Sequence, residues 1–445
     1  MRITETRGSD SSVTEYFNDI NTGSWSLSEA NGERITERSE QVVGDTTVRR
    51  ETVKNDSNQI SAVYERTYQE FPWGEEMLIQ ADDPDGDNLV TSFTYYEDSN
   101  EPGSYSKLKS VENPDGSWEF DEYDSEGRVS SRYSSLLDLD ITQKANARVT
   151  TYNYDPTALG GDTNLDEDKS QPRIITETTG GIITALRYAV YSTDVSGGRQ
   201  EISETATSQG AGYGSVGNLR TVTVFYPEDD SVSAGRLKSV LSPDGRLTTS
   251  TYEQGSFDVD SQIFTPGTGA DERVTTVHGT ESSPAGIALK TTKEESITDS
   301  LGNALFQQTL IYDGSAYHGI SWTAREYDDF GRMTRQTASD GTFTESDWSC
   351  CVKKIEIDAA GVRTDFIDYD GLHRLMNSSR ESEQGPILTV NSYDASGRRL
   401  TETVSSSGLS LGSSSTYDLS GRIMSRTDSR NLTTNYDYTL VLSHD

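Results

Sequence analysis

The chain has 445 residues, of which 73 are Asp or Glu and 38 are Lys or Arg, so its formal net charge is −35. That balance argues against a nucleic-acid partner, since neutralising phosphates takes clustered Lys and Arg, and no apolar run approaches the roughly 18 residues of a membrane-spanning helix. Leu, Ile, Val and Phe make up only about a fifth of the chain, as in disordered proteins, yet 23 Tyr, 11 Phe and 5 Trp recur between turn residues, which disorder does not explain.

Residues 1–60 are rich in Thr, Ser and Glu, with short β-prone pieces at Trp25 and at Val42 and Val43, and read as weak edge strands. The first residues lack the apolar core of a signal peptide. Residues 61–133 carry a firmer pattern through Tyr64, Tyr68, Phe71 and Trp73, a turn at Pro84, Asp85 and Gly86, and a strand over 89–96. Residues 134–172 interrupt it and read as an irregular insertion projecting from the sheet. Residues 173–311 read as degenerate repeats, loosest at 208–217 and 255–283, and residues 312–445 as clear ones. No stretch keeps a helical period, so the whole of 1–445 is expected to be one all-β region.

The repeat is carried by tyrosine. Eleven of the 23 Tyr precede an acidic residue, where chance gives about four. In five of them an Arg follows at the fifth position. Tyr393, Asp394, Gly397 and Arg398 recur as Tyr417, Asp418, Gly421 and Arg422, as Tyr327, Asp328, Gly331 and Arg332, and as Tyr123, Asp124, Gly127 and Arg128. Tyr369, Asp370 and Arg374 form a fifth copy with His373 in place of Gly, and Gly235 and Arg236 a sixth without the Tyr and Asp. Asp favours the start of a tight turn because its carboxylate accepts from the amides ahead of it, and Gly takes the left-handed conformation that closes a bulged hairpin. The motif therefore reads as strand, turn, strand, with the Arg pairing to an acid on a neighbouring hairpin.

A second turn alternates with the first: Pro114, Asp115 and Gly116; Pro243, Asp244 and Gly245; Ser339, Asp340 and Gly341. Reversals about every ten residues leave strands of roughly eight, the pattern of a long antiparallel β-meander. A sheet with both faces in water needs little aliphatic content and is held by cross-strand pairs of about 0.2–1 kcal/mol each.

These residues resemble the YD repeat of the Rhs (rearrangement hotspot) proteins, the shell components of Tc toxins and teneurins. The likeness is clear over about 320–440 and 100–135 and looser around 235–255. It implies a long sheet curving into a shell or open barrel-like wall, secreted or at the cell surface, in some members enclosing a toxin domain. Full-length shells of this family commonly end in a region around Asp-Pro-x-Gly where some self-cleave. No such motif stands near the end of this sequence, and Asp155 and Pro156 are followed by Thr157, so the resemblance implies a partial member without self-cleavage or a toxin domain of its own.

Candidate chemistry is sparse. His278, His318, His373 and His444 show no metal-ligand spacing, and His373 sits at a turn position. Asp162, Asn164, Asp166 and Asp168 alternate like the start of a calcium loop, but Glu167 and Arg173 stand where that loop needs Gly and Glu. Asp83, Asp85 and Asp87 match less well. Cys350 and Cys351, adjacent in an expected strand, would point to opposite faces and not form a bridge. No catalytic residue, metal site or cofactor is expected. The reading is a non-enzymatic structural segment of a YD-repeat shell, with a cargo or toxin domain encoded elsewhere or a cell-surface glycan as partner. The alternative is a carbohydrate-binding or adhesion module using exposed aromatics; least favoured is a polysaccharide-acting enzyme.

Overall fold

The computed structural model describes residues 2–7, 10–19, 24–30, 34–55, 57–136, 139–162, 165, 170–280 and 291–438. The protein is an antiparallel β-meander with one short 3-10 helix, Ile141–Asn146, among the described residues. It divides into two compact units, one of residues 1–147, 349–356 and 362–445, the other of 148–348 and 357–361.

In the first unit each strand from Arg2–Arg7 to Val129–Ser134 pairs antiparallel with the next, and so do those from Arg363–Tyr369 to Thr433–Asn435. Among the described residues the first strand, Arg2–Arg7, pairs on one side only, with Asp10–Asp19. Arg34–Val43 is paired on both sides, with Ser24–Ala30 and Thr46–Asn55. Charge ladders do the work that apolar repeats do elsewhere: Arg38 lies between Glu29 at 2.6 Å and Glu51 at 2.7 Å, and Arg49 between Glu40 at 2.8 Å and Glu75 at 2.7 Å. A hydrophobicity pattern is blind to such pairs, which is why this stretch read as weak.

The first half of the supposed insertion packs back onto the sheet. Leu136 and Ala147 are buried against Trp118, whose indole N–H donates to the Leu139 carbonyl at 2.8 Å. Lys144 Nζ lies 3.6 Å from the centre of the Phe120 ring and 2.7 Å from Glu122, a cation held by both a π face and a carboxylate. The strand Arg148–Asn153 then opens the second unit by pairing with Ile174–Thr179.

The second unit runs as the same meander to Phe343–Trp348, with Arg246–Asp258 long enough to pair with both Ile263–Pro266 and Asp271–Thr280. Its apolar cluster is Ile297, Phe306 and Ala324, extended by Phe257, Phe264 and Trp322. Arg173 is fully buried, donating to the carbonyls of Ala189 at 2.9 Å, Pro156 at 2.5 Å and Gly160. Those last two acceptors tie the 156–160 loop to the sheet.

Candidate functional site

The repeated turn is built to one plan. At Asp418 the amide N–H donates across the turn to the Arg422 carbonyl at 2.9 Å, and Gly421 N–H donates to the Asp418 carbonyl at 3.0 Å. Oδ1 of the Asp takes the amide of the residue four ahead, at 2.9 Å in Asp124 to Arg128 and 2.8 Å in Asp394 to Arg398. The ladder register slips at the Tyr, between Glu122 and Tyr123 and between Thr416 and Tyr417, so the expected bulge is present. Gly127, Gly331, Gly397 and Gly421 all have positive φ, and His373 adopts φ 59 in the same position.

The arginine corrects the sequence reading. In all five full copies it doubles back to the Asp of its own turn, Nε to Oδ2 being 2.8 Å in Arg128, Arg332 and Arg422 and 2.6 Å in Arg374 and Arg398. A carboxylate from another hairpin is an addition, as Asp87 is for Arg398; Arg236, which lacks the turn Asp, pairs with Glu272. The far end of the guanidinium fork reaches the next repeat. Arg374 donates to the Asp394 carbonyl and Arg398 to the Asp418 carbonyl, both at 3.2 Å. The guanidinium also lies over the next tyrosine, 4.7 Å above Tyr393 for Arg374 and 5.3 Å above Tyr417 for Arg398.

The tyrosine hydroxyl completes the link by donating back to the carbonyl two residues past the preceding turn's left-handed residue. Tyr393 reaches Leu375 at 3.1 Å, Tyr417 reaches Arg399 at 2.7 Å, Tyr252 reaches Leu237 at 2.9 Å and Tyr327 reaches Ala304 at 3.0 Å. Trp348 does the same through its indole N–H to Met333 at 2.9 Å. Each turn thus holds the next one along the sheet. The carboxylates respond: in Asp124 burial works against ionisation, but the Arg128 amide and guanidinium win and hold it below the usual range, and Arg332 does so for Asp328.

Within the first unit the turns of the later repeats meet loops of the early strands. Gly371 N–H donates to Ser61 Oγ at 3.1 Å, and Arg374 adds a bond to the Ser61 carbonyl at 3.1 Å. Arg398 pairs with Asp87, and Ser420 donates to Asp115 Oδ2 at 2.6 Å. Three successive turns on one side therefore meet three successive loops on the other, in order, forming a seam between two stretches of the same meander. A Cβ on Gly371 would lie 2.4 Å from the Lys54 carbonyl oxygen, so only glycine admits this approach.

The second unit carries a groove of about 350 Å³ across Asp271–Thr280, Thr292–Thr298, Ala304–Tyr312 and Tyr317–Tyr327. Residues opposite in the ladder share a face, so Thr276, Glu294, Thr309 and Ser321 line one row and Val274, Ser296, Gln307 and Thr323 the next. Trp322 borders the groove, but by register it belongs to the other face, where it stacks on Phe306 with ring centres 6.0 Å apart. His278 extends the polar row, its Nδ1 3.1 Å from Thr248 Oγ1 and its Nε2 4.0 Å from Glu294.

The other residues singled out in the sequence scatter. His318 sits on Asp313 at 2.7 Å at a hairpin tip, where the Ala316 amide, Ser315 and then His318 hold the carboxyl far below its ordinary range. Asp85 and Asp87 are paired to Arg50 and Arg398. Of the calcium-like loop, Asp162 accepts from Thr193 Oγ1 at 3.2 Å, while Asn164, Asp166 and Asp168 lie outside the described residues, as does His444. Among the described residues no three His, Cys, Asp or Glu side chains gather as a metal-binding group.

Cys350 and Cys351 are the second correction. They lie in a turn, not a strand, and their sulfurs converge to 2.8 Å. Sequence reading also passed over turns that keep only the Asp: Asp194 with Gly197, Asp299 with Gly302, Asp358 with Gly361 and Asp428 with Asn431 close in the same way. The signal that finds them is Asp followed three residues later by Gly or Asn, without the flanking Tyr and Arg. At Asp299 an Asn stands for the Arg, with Asn303 Nδ2 2.8 Å from Asp299 Oδ2.

No protein-family model matches the chain, and no curated protein matches it. Among solved structures it is similar to the crystal structure of TcdB2-TccC3-Cdc42, with 11% identity and a TM-score of 0.41, covering 91% of this chain and 22% of that one. A Tc holotoxin pore of Photorhabdus luminescens with a mutated TccC3 gives 12% identity and the same TM-score and coverage. A porin-like protein of Bacteroides uniformis gives 10% identity and a TM-score of 0.22, covering 65% of this chain and 93% of that one. The chain spans about a fifth of the length of the two toxin chains.

Proposed function

We propose that this chain is a non-enzymatic stretch of wall in a YD-repeat shell, secreted or displayed at the cell surface, that surrounds a cargo domain encoded elsewhere. One observation carries this: the conspicuous residues of the repeat are spent on holding turn to turn and, at the seam, stretch to stretch. Asp, Arg and Tyr of the motif all find intramolecular partners, and their recurrence at many turns suits a wall, whereas an active site needs them once. A seam whose contacts follow in register supports a sheet that comes back alongside itself, as the laps of a curved wall do. Over 1–445 we read one functional region. Small-angle X-ray scattering and negative-stain imaging of the purified chain test this: a curved or hollow particle is expected, and a compact solid one overturns the reading.

The groove favours a second reading. Its lining of Thr, Ser, Gln and Glu offers hydrogen bonds to a polyhydroxylated ligand, and a buried Arg325 nitrogen, one step along the face from Thr323, has no hydrogen-bond partner among the described residues. A glycan would then bind in the groove through polar side chains, since Trp322 at its border faces the other side of the sheet. Binding on a glycan array that is lost in Gln307→Ala would establish it; an array without hits removes it.

A further inference from the structure

We propose that Cys350 and Cys351 form a dithiol site in a tight turn that closes reversibly into a disulfide between adjacent residues. In an extended strand neighbouring side chains point to opposite faces and their sulfurs part. Here the backbone has already reversed. Ser349 N–H donates to the Val352 carbonyl at 2.9 Å, Ser349 Oγ reaches the same carbonyl at 3.1 Å, and Val352 N–H reaches back to Ser349 Oγ at 3.3 Å. The two cysteines are therefore the central pair of a tight turn. Both are exposed, and their Sγ atoms lie 2.8 Å apart, inside ordinary non-bonded contact and short of the roughly 2.05 Å of a formed bond. The turn, not the sequence adjacency alone, brings them together.

The partner is a small-molecule disulfide such as oxidised glutathione. One cysteine thiolate attacks a sulfur of the oxidant, forming a mixed disulfide and expelling the first thiolate; the second cysteine thiolate then attacks the protein sulfur of that mixed disulfide and expels the other. Two S–H bonds and the oxidant's S–S bond are lost, one protein S–S bond forms, and the two protons end on two released thiols. The cysteines are oxidised and the glutathione disulfide is reduced. Exposure in the turn leaves the ring open to the reverse attack by a thiol reductant.

The test uses the whole purified chain, incubated with oxidised glutathione, quenched in acid, then denatured, treated with iodoacetamide and weighed intact. A species lighter by two hydrogens is expected, with no glutathione and no alkyl group, and dithiothreitol should return it to two alkylated thiols. Because the fold positions the thiols, closure should be about tenfold faster in the native chain than in urea. In Cys350→Ser the remaining thiol should hold glutathione as a lasting adduct. A lasting adduct on the native chain, a disulfide-linked dimer, or equal rates folded and unfolded would overturn the proposal.

Discussion

Tyr123 donates its hydroxyl to the Leu108 carbonyl at 2.8 Å, two residues past Ser106, which holds φ 67 where other turns place glycine. The bond ties the end of one hairpin to the start of the strand before it. Its ring is also packed, edge-on to Tyr96 with centres 5.9 Å apart and 5.7 Å from Lys107 Nζ.

Tyr123→Phe keeps the packing and removes the donor, so it should cost about 1 kcal/mol. Tyr123→Ala loses the ring as well and should cost about 2–3 kcal/mol, somewhat below a fully buried aromatic. Urea midpoints, with amide exchange at residues 108–111 as a local probe, check both. Equal losses for Phe and Ala would mean that the hydroxyl bond carries the whole effect.

Arg374 has three partners, the Asp370 carboxylate, the Asp394 carbonyl and the Ser61 carbonyl, with its side chain only 17% exposed and that of Asp370 8%. Arg374→Ala strands a nearly buried carboxylate and should cost about 3–5 kcal/mol. Arg374→Lys restores the charge without the planar fork and should recover less than half of that. Arg422, 53% exposed and at the end of the series, should lose under about 1 kcal/mol on the same change to Ala. Thermal melts of the three variants separate a recurring motif from a uniform one.

The turns were legible because their chemistry is local. An Asp that accepts amides two and four residues ahead, and a Gly with positive φ, are written within six residues, and Asp124 to Arg128 behaves as that pattern says. The partner of the Arg was not legible, since an acid four residues back and one on another hairpin are equally present in a chain this acidic. The seam was hidden for a different reason: Ser61 and Gly371 stand 310 residues apart, and nothing in a single sequence marks them as neighbours. The groove residues of 274–323 were invisible because their Ser, Thr and Gln read as ordinary solvent-facing strand positions. Cys350 and Cys351 were misplaced by extending a strand through a two-residue reversal that lacks Gly, Pro, Asn or Asp.

Gly371→Ala probes the seam directly. The new Cβ would meet the Lys54 carbonyl carbon at 2.8 Å as well as its oxygen, and backbone cannot move aside as a flexible side chain does. The expected cost is about 1–3 kcal/mol, concentrated in the seam: faster amide exchange at Gly371 and faster proteolysis near residues 55–61, with the rest of the ladder unchanged. Gly412→Ala is the control, since its Cβ meets only Thr403 Oγ1 at 3.7 Å. If the two variants behave alike, the seam contributes nothing to holding the stretches together.

Titration should destabilise the fold at both ends of the pH range. Asp124, with desolvation opposed by its Arg128 bonds, and Asp328, held by Arg332, have folded-state pKa values below the unfolded value of about 3.9. A depressed carboxyl contributes above its unfolded pKa and loses that contribution as pH falls through the folded one, so stability should decline from about pH 5 downward. Tyr96 is displaced the other way. Burial first, then the Glu122 charge, pushes it up to about 12, while its hydroxyl donates to the Asp121 carbonyl at 2.8 Å. A raised group contributes fully below its unfolded pKa of about 10 and loses that contribution as pH rises toward 12. Tyr123 and Tyr226, also raised by burial, act in the same direction. Urea midpoints should therefore hold level between about pH 5 and 9 and fall on both sides. In Tyr96→Phe the alkaline limb should be shallower while the acid limb stays where it is; an alkaline limb of unchanged slope assigns it to the remaining tyrosines.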